Sequence, residues 1–355
     1  MDFTDKAAPI RAGEGLDTAK VEAFLKDSIE GLTGDLAIQQ FPSGYSNLTY
    51  LLTIGDRELV LRRPPFGRKA KTAHDMGREY RILQALQPVF SYCPEPLVYT
   101  EDSSIIGSPF YVMERMQGII LRRDLPNGLS FTPEQARQLC ERLLDVHVEL
   151  HSVDFKEIGL EDFGKPEGYV KRQVLGWSDR YRAARTDDAP DCEEVMAWIL
   201  EKMPPDTDKP AIIHNDYKFD NLVLNENDPM NIIGVLDWEM ATIGDPLMDL
   251  GNSLAYWVER TDPPEVETIR QVLTNMEGAL TREELVKRYA EKSGLSIENF
   301  DFYYCFGIFR LAVIVQQIYY RYFHGHTKDD RFKTLILVVK VLDNVARQVM
   351  ERSGL

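Results

Sequence analysis

A single stretch, residues 211–245, constrains the fold more strongly than any other part of the chain. Three short runs of β-branched and aliphatic residues, 211–213, 222–224 and 232–236, alternate in it with polar segments rich in Asn and Asp. Runs of this kind, bounded by turn residues, predict β-strands. We therefore predict a strand, a polar loop, a second strand, a turn and a third strand. Asp237 follows the last strand directly, and an acidic side chain there is expected to face a cleft rather than the core.

The polar loop, residues 214–221, matches the pattern H-x-D-x-x-x-x-N through His214, Asp216 and Asn221. This spacing is typical of a kinase catalytic loop, in which the Asp accepts the proton of the attacking hydroxyl. The Asn and a later strand-end Asp then hold magnesium, which prefers hard oxygen ligands and keeps several waters. The pattern predicts Asp216 as the catalytic base, and Asn221 and Asp237 as the magnesium ligands.

Two further residues of the loop receive a predicted role. Lys218 is placed to neutralise charge on the transferred phosphoryl group, and His214 is expected to orient the loop. The alternative is an ordinary polar hairpin loop with a capping Asp. Four matched positions in a strand–loop–hairpin context favour the catalytic interpretation.

These motifs resemble those of the aminoglycoside phosphotransferase and choline kinase superfamily. The likeness is carried by residues 214–221, 236–239 and 244–250. Residues 11–17 and 46–50 are similar to one branch, the bacterial phosphotransferases that resemble the kinase domain fused to acyl-CoA dehydrogenases in animals. The resemblance implies an α+β, two-lobed protein-kinase-like fold, with a small β-rich N-lobe and a larger, mainly helical C-lobe. It implies ATP and Mg²⁺ as cofactors, and it also leaves GTP open.

The resemblance divides the chain into an N-lobe, residues 1–114, and a C-lobe, residues 115–355. The N-lobe is expected to hold an N-terminal helix, an antiparallel sheet and one further helix. Position and resemblance place the hinge within residues 110–118, because backbone recognition of adenine leaves no side-chain pattern. Backbone groups near Glu114 and Met116 are expected to hydrogen-bond the adenine.

Residues 35–63 alternate between apolar and polar side chains like three strands, and the loop 42–47 lies between the first two. In a kinase this loop covers the nucleotide phosphates with backbone N–H groups, and small residues permit the close approach. On its own, one Gly in a polar turn is more often only a turn. The catalytic motif favours the nucleotide-binding interpretation, with Gly44, Ser46 and Asn47 as the contributing residues.

The third predicted strand ends in two arginines, where kinases place a phosphate-binding lysine. Strand alternation puts Arg62 on the face opposite Leu59 and Leu61. Because Arg grips phosphate bidentately, the role survives the change from Lys, although Arg63 is the adjacent alternative. Glu79, in the next predicted helix, is expected to pair with Arg62; otherwise it is a surface carboxylate.

The composition bounds the possible partners. The 355 residues allow two lobes, and the net charge of −16 argues against a general nucleic-acid binder. The start of the chain has no signal-peptide pattern, and the most apolar stretch, 311–320, is too short to span a bilayer. We therefore expect a cytoplasmic protein that binds neither nucleic acid nor membrane. Reduced, packed thiols are expected at Cys93, Cys140, Cys192 and Cys305.

The rest of the chain is predicted to be mostly helical. Thr132 followed by Pro caps a helix that runs to His151. His147 and His151 have the spacing of a helical metal site, but no third ligand is evident, and the resemblance implies a structural role. Asp245 is expected to cap a helix. The resemblance implies that Asp249 braces the catalytic loop through backbone hydrogen bonds.

The acceptor is predicted to be a hydroxylated small molecule that the sequence does not name. Branch resemblance favours a hydroxy acid or hydroxyacyl compound over an aminoglycoside. The residues 161–187 are aromatic and Arg-rich and are expected to help shape the pocket, or to form an ordinary connecting helix. Helices are predicted near 264–276, 281–293, 297–323 and 329–350. Pocket candidates, which are equally compatible with the core, are Trp257, Tyr303, Tyr304, Arg310, Gln317 and Tyr320.

We therefore predict ATP- and magnesium-dependent phosphoryl transfer to a hydroxyl of a small molecule. One alternative is a nucleotide-binding regulatory pseudokinase without turnover, for which Arg62 in place of Lys is the only support. A second is a metal-dependent hydrolase that uses His214, Asp216, Asp237 and a metal-activated water.

Overall fold

The computed structural model describes residues 3–42, 47–65, 75–327 and 329–355. The chain forms two compact units. The first comprises Met1–Ile120 and Asn221–Ala241, and the second comprises Leu121–Asp220 and Thr242–Leu355. The predicted α+β, kinase-like architecture is confirmed. The lobe boundary after residue 114 stays a prediction.

The first unit contains a five-stranded antiparallel sheet in the order β1-β2-β3-β5-β4. The three strands predicted from alternation within residues 35–63 are its first three, within one residue at each end. Leu59 and Leu61 point into the core of this unit, so Arg62 lies on the other face of the sheet. The strands are β1 Leu36–Gln40, β2 Leu48–Ile54, β3 Arg57–Arg63, β4 Pro96–Thr100 and β5 Phe110–Glu114.

Three helices flank that sheet among the described residues of the first unit. Helix α1, Thr18–Ser28, is the expected N-terminal helix, and Asp17 caps it by accepting a hydrogen bond from the backbone N–H of Lys20. It ends at Ser28, since the chain becomes extended at Ile29, although that side chain still packs into the core. The other two helices are α2, Met76–Leu86, and the short α3, Ser103–Ile106, which was not predicted.

A hairpin from later in the chain also belongs to the first unit. Strands β7, Leu222–Leu224, and β8, Ile232–Val235, pair antiparallel. Ile119 and Leu224 form a backbone bridge that ties the hairpin to the segment after β5. The hairpin thereby fixes the positions of Asn221, just before β7, and Asp237, just after β8.

The second unit is mainly helical, with one small sheet. Strand β6, Ala211–Ile213, pairs with β9, Thr242–Gly244, whereas β7 pairs with β8. Strand β9 was not predicted, because Ile243 is its only aliphatic residue. The early helices are α4 Pro133–His151, α5 Tyr169–Ala184, α6 Glu193–Glu201 and α7 Pro246–Leu254.

The C-terminal helices differ from prediction in two places. The helix predicted over 329–350 begins only at Leu335, because Asp330–Thr334 forms a 3₁₀ turn. The helix predicted over 264–276 stops at Thr268, and the backbone then bonds elsewhere: Leu273 donates its N–H to the carbonyl of Arg122. The hydroxyl of Thr274 likewise donates to the carbonyl of Val258. The helices are α8 Pro264–Thr268, α9 Arg282–Ser293, α10 Phe300–Phe323 and α11 Leu335–Arg352.

Helix α10 is the central helix of the second unit. Its 24 residues are long and apolar enough to cross a membrane, but 83% of its most apolar window is buried inside the protein. The predicted short apolar stretch is thus part of a longer buried helix, which is typical of a core helix. The four cysteines are free and buried, as predicted.

Candidate active site

In the first unit, Arg62 forms two ion pairs on the face of the sheet opposite the core. Its Nη1 lies 2.8 Å from Oε1 of Glu79, and its Nη2 lies 2.7 Å from Oδ1 of Asp237. Burial disfavours the guanidinium charge, but the carboxylates of Glu79 and Asp237 outweigh it and raise the pKa of Arg62 well above its usual value. Burial raises the pKa of Glu79, and Arg62 partly offsets that shift. The predicted Arg62–Glu79 pair is present, and a second carboxylate shares the arginine.

The neighbouring Arg63 points the other way. Its Nη1 donates to the carbonyl of Ile106 at 2.9 Å, and its Nε donates to the carbonyl of Pro64. Only 2% of Arg63 is exposed, so its bonds serve the packing of the first unit. This geometry favours Arg62 for the predicted phosphate-binding role, which stays a prediction.

Asp237 has a backbone conformation that few residues adopt. Its φ is +69°, in the left-handed region, where Asp and Asn are tolerated better than most residues. The backbone N–H of the preceding Leu236 donates to the carbonyl of Asn221 at 2.8 Å. The hairpin thus holds the two predicted magnesium-binding positions at adjacent places on neighbouring strands. Such strained positions concentrate at functional sites.

One contact in this region was not predicted from sequence. The side-chain amide of Asn47 donates to Oε2 of Glu239 at 2.7 Å, and the same Oε2 lies 4.0 Å from Nη2 of Arg62. Glu239 belongs to a motif quoted for the family resemblance, but its pairing with a residue so distant in sequence leaves no local signal. The other two residues predicted for the nucleotide-covering loop, Gly44 and Ser46, lie outside the described residues.

The segment predicted as the hinge follows β5. The backbone N–H of Glu114 donates to the carbonyl of Glu95 at 2.9 Å, so it is already occupied, and the Glu114 carboxylate pairs with Arg57. The backbone N–H of Met116 donates to no acceptor in the part of the chain that the structure describes. Of the two predicted adenine contacts, Met116 therefore retains an available donor. Both assignments stay predictions.

In the second unit, the loop after β6 brings three charged residues together. Nζ of Lys218 lies 2.5 Å from Oδ2 of Asp216 and 3.5 Å from Oδ1 of Asp220. Burial disfavours the ammonium charge, but the carboxylates of Asp216 and Asp220 outweigh it and raise the pKa of Lys218. Nζ also lies 5.1 Å from the ring centroid of Tyr256, a residue that no sequence pattern singles out. Lys218 is therefore a fixed positive charge beside the predicted base.

Asp249 on α7 holds the backbone of the same loop through hydrogen bonds. Oδ2 of Asp249 accepts the backbone N–H of His214, and Oδ1 accepts that of Asn215, each at 2.7 Å. Asn215 has φ +64°, and its side-chain carbonyl accepts a hydrogen bond from Asn252. The backbone N–H of Asp216 donates to Nδ1 of His214 at 3.3 Å. The backbone bonds that the resemblance implied for Asp249 are present.

The histidine pair on α4 completes this brace. Nε2 of His147 and Nε2 of His151 each lie 3.1 Å from Oδ2 of Asp249, so the third group that the sequence did not reveal is Asp249. Nδ1 of His151 lies 2.7 Å from the hydroxyl of Tyr289. If both histidines donate from Nε2, Tyr289 donates to His151. Because these are N–H···O distances, hydrogen bonding accounts for the cluster without a metal.

The pKa values indicate a neutral His147 beside an ionised Asp249. Burial and the neighbouring His151 lower the pKa of His147 to about 4, while Asp249 opposes the shift. Burial opposes the charge of Asp249, but the hydrogen bonds from His147 and His151 outweigh it and hold the pKa of Asp249 well below its usual value. The carboxylate is therefore available to accept the backbone N–H groups of the loop.

The predicted acceptor-pocket residues differ in their surroundings. Trp257 and Tyr303 are buried: the Trp257 indole donates to the carbonyl of Leu280, and the Tyr303 hydroxyl donates to Asp245. Trp257 also lines a cavity of the second unit together with Tyr304. Arg310 lies with its Cζ 5.0 Å from the ring centroid of Trp177, in the Arg-rich segment predicted to shape the pocket. The remaining candidates are Tyr320, whose ring lies 4.2 Å from that of His324, and the half-buried Gln317.

The fold and these motifs define a kinase-like phosphotransferase architecture. The model of the phosphotransferase enzyme family matches residues 37–284, and the chain belongs to that family.

Similar proteins agree with this assignment. Acyl-CoA dehydrogenase family member 11 of Rattus norvegicus is 34% identical over 342 residues, which cover 94% of this chain and 43% of that protein. The chain thus spans less than half the length of this curated relative. A solved structure from Ralstonia eutropha, assigned as an aminoglycoside phosphotransferase, is 28% identical with a TM-score of 0.81, covering 96% of this chain and 100% of that one.

A more distant structure shares the fold alone. The aminoglycoside phosphotransferase APH(4)-Ia, solved as a ternary complex with AMP-PNP and hygromycin B, is 16% identical with a TM-score of 0.58. That alignment covers 94% of this chain and 100% of the other.

Proposed function

We propose that this protein is a small-molecule kinase that transfers the γ-phosphoryl group of ATP to a hydroxyl group in a magnesium-dependent reaction. The observation that carries the proposal is the braced loop of the second unit, where Asp249 holds the backbone of His214 and Asn215 and so fixes Asp216. A loop fixed by buried backbone hydrogen bonds provides the preorganised base that phosphoryl transfer requires.

The donor set of the first unit fits a magnesium ion. Asn221 offers an amide oxygen and Asp237 a carboxylate oxygen, both hard ligands. The Asp237 carboxylate already binds a cationic group, the Arg62 guanidinium, and its side chain is 34% exposed. A bound magnesium would neutralise charge on the nucleotide phosphates. Arg62 would bind phosphate oxygens, and the buried Glu79 would keep Arg62 in place.

The loop of the second unit would act on the acceptor. Asp216 would orient the acceptor hydroxyl and take its proton at a carboxylate oxygen, late in the reaction. Lys218, which stays protonated beside two carboxylates, would stabilise negative charge on the transferred group. Nucleotide use is supported by the structure of APH(4)-Ia, which was solved as a ternary complex with AMP-PNP and hygromycin B.

The proposal is tested by two measurements on the purified chain. The first is ATP affinity with and without magnesium, and the second is ADP release with pooled hydroxylated metabolites. We expect magnesium to strengthen ATP binding and at least one pool to raise ADP release above the acceptor-free rate. Magnesium-dependent ATP binding without acceptor-dependent release would instead support a regulatory pseudokinase. Hydrolysis of an acceptor-like substrate without nucleotide would support a metal-dependent hydrolase.

A further inference from the structure

Arg310, in the middle of α10, differs from the other buried arginines. Four arginines are buried among the described residues. Arg62 and Arg270 form ion pairs with carboxylates, and Arg63 hydrogen-bonds to carbonyl groups. Arg310, only 4% exposed, forms no ion pair or hydrogen bond with any residue that the structure describes. It is thus a buried charge whose N–H groups have no acceptor among the described residues.

Such a charge is strongly unfavourable unless something else satisfies it. A guanidinium does not deprotonate in proteins and carries five N–H donors in its plane. The stacking on Trp177 stabilises the charge through the face of the group and leaves the in-plane donors unused. Each guanidinium nitrogen of Arg310 keeps some contact with solvent. The small exposed part of the side chain therefore includes its donors. An acceptor from outside the protein can satisfy these donors, and an oxyanion matches their charge as well.

Arg310 lies beside the catalytic loop. Tyr169, which hydrogen-bonds to Asn215 of that loop, is close enough for the Arg310 charge to act on its phenol. Tyr256 is a second link: burial raises its pKa, and both Asp216 and Arg310 act on it. Tyr256 also flanks Lys218, whose Nζ lies 5.1 Å from its ring centroid, so Tyr256 is a neighbour that Lys218, Asp216 and Arg310 share.

We propose that Arg310 binds an oxyanion, a carboxylate or a phosphate, of the acceptor whose hydroxyl is phosphorylated. The inference rests on the proposed function and adds the chemical class of the acceptor. Arg binds carboxylate and phosphate bidentately, which fixes orientation as well as charge. A polycationic aminoglycoside would bring positive charge toward Arg310 and is disfavoured.

Arg180 is the matched control. Its Cζ lies 4.6 Å from the same Trp177 ring, but its side chain is exposed. It therefore carries the same charge and the same stacking without a buried, unpaired position. Arg180→Gln should weaken acceptor binding much less than Arg310→Gln does, since exposed charges contribute little.

The first experiment measures binding without nucleotide and does not depend on turnover. Calorimetric titration of the full chain would compare 3-hydroxybutyrate with 3-hydroxybutyramide, and glycerol 3-phosphate with glycerol. We expect the anionic member of at least one pair to bind wild type about 10- to 100-fold tighter, the range for a hydrogen bond to a charged group. The pair that shows the preference distinguishes carboxylate from phosphate.

The variants then show whether Arg310 causes the preference for anionic compounds. Arg310→Gln should remove it, and Arg310→Lys should keep part of it because the charge remains. Thermal unfolding of each variant shows whether it is folded. If Arg310→Gln is not folded, the reduced anion preference of Arg310→Lys provides the test instead. Equal binding of both members of every pair to wild type, or an undiminished preference in folded Arg310→Gln, would overturn the proposal.

The second experiment adds ATP and measures acceptor-dependent ADP release. In Arg310→Gln, KM for the acceptor should rise about 10- to 100-fold while KM for ATP is unchanged. If anionic compounds bind more tightly but no acceptor causes ADP release, the proposed kinase activity is wrong and the anion site at Arg310 stands. If acceptors cause ADP release but anionic ones are not preferred, the kinase activity stands and the anion site is wrong.

Discussion

Arg62 and Glu79 form an ion pair that is almost completely removed from solvent, with 2.8 Å between Nη1 and Oε1 and side-chain exposures of 8% and 1%. A buried pair of this kind contributes little net stability, because desolvation of both charges opposes their attraction. Removing one partner, in contrast, leaves an uncompensated buried charge. The pair is therefore better explained by positioning Arg62 than by stabilising the fold.

We predict that Arg62→Ala removes most of the activity and lowers the free energy of unfolding by about 3 kcal/mol, because Glu79 is left unpaired. The double variant Arg62→Met, Glu79→Met should recover stability but not activity, as urea unfolding and ADP release would show. Arg62→Lys should keep part of the activity, since the charge is retained.

Arg63→Ala is the control for that prediction. It removes hydrogen bonds to the carbonyls of Ile106 and Pro64, so it should destabilise the fold without changing the KM for ATP of the folded protein. An inactive but stable Arg63→Ala, together with an active Arg62→Ala, would show that the phosphate-binding role belongs to Arg63.

We predict that Asp237→Asn abolishes magnesium-dependent turnover while preserving the fold. Asn tolerates the left-handed backbone at φ +69° as Asp does, but it has no charge for a divalent cation. Asp237→Ala should be inactive as well and also less stable, because Ala is strained there. Near wild-type ADP release by either variant, at any magnesium concentration, would exclude Asp237 from the metal site.

How much of the fold and of the candidate site could be predicted depended on how far apart in sequence the interacting residues lie. The ends of α4 were predicted because they are local: Thr132 and Gln135 form a capping box, and the helix ends at His151 as expected. The Arg62–Glu79 pair followed from motif position. The contact between Asn47 and Glu239 could not be predicted, since the two residues lie 192 positions apart and the sequence around each does not indicate its partner.

The failures have physical reasons as well. The helix predicted over 264–276 stops at Thr268 because Leu273 and Thr274 bond to other segments, and tertiary hydrogen bonds outweigh a weak helical pattern. The third group beside His147 and His151 was missed because Asp249 approaches from another helix. Arg310 was named as a pocket candidate, but only the structure reveals that its donors have no partner.

We predict that Tyr289→Phe lowers kcat several-fold with little change in KM for ATP. The Tyr289 hydroxyl is 2.7 Å from Nδ1 of His151, whose Nε2 contacts Asp249, so its loss frees the His151 ring to reorient and weakens the brace. A stability loss of about 1 kcal/mol should accompany the change. Tyr303→Phe, whose buried hydroxyl is 3.5 Å from Asp245, is the control and should leave kcat unchanged.

We predict that His147 makes the fold less stable in mild acid. Its pKa is about 4 when folded and near 6.5 when exposed, so between these values the unfolded chain binds a proton that the folded chain does not. The free energy of unfolding should therefore fall as pH drops from about 6.5 toward 4, by roughly 2 kcal/mol at pH 5. Urea unfolding at pH 7.5 and pH 5 would measure it. His147→Gln, which can still donate to Asp249, should lose that part of the pH dependence.

Asp216→Asn is predicted to leave ATP binding close to wild type and to lower kcat sharply. The loop backbone is held by Asp249 through His214 and Asn215, so the substitution leaves the position of residue 216 intact. The amide is isosteric and still orients a hydroxyl, but it cannot take the proton. General-base contributions are about 10²- to 10⁴-fold, and a loose transition state with late proton transfer favours the low end.

The same substitution also tests the ion pair with Lys218. Its Nζ keeps Asp220 as a partner at 3.5 Å when the Asp216 charge is removed, so the ammonium stays charged and the nucleotide affinity need not change. Calorimetric ATP binding and single-turnover ADP release, with an acceptor identified on wild type, would separate the two effects. If affinity collapses together with kcat, Asp216 is a metal ligand or a structural brace. If kcat is unchanged with that acceptor, the hydroxyl proton leaves without this carboxylate, and the base is another group or solvent.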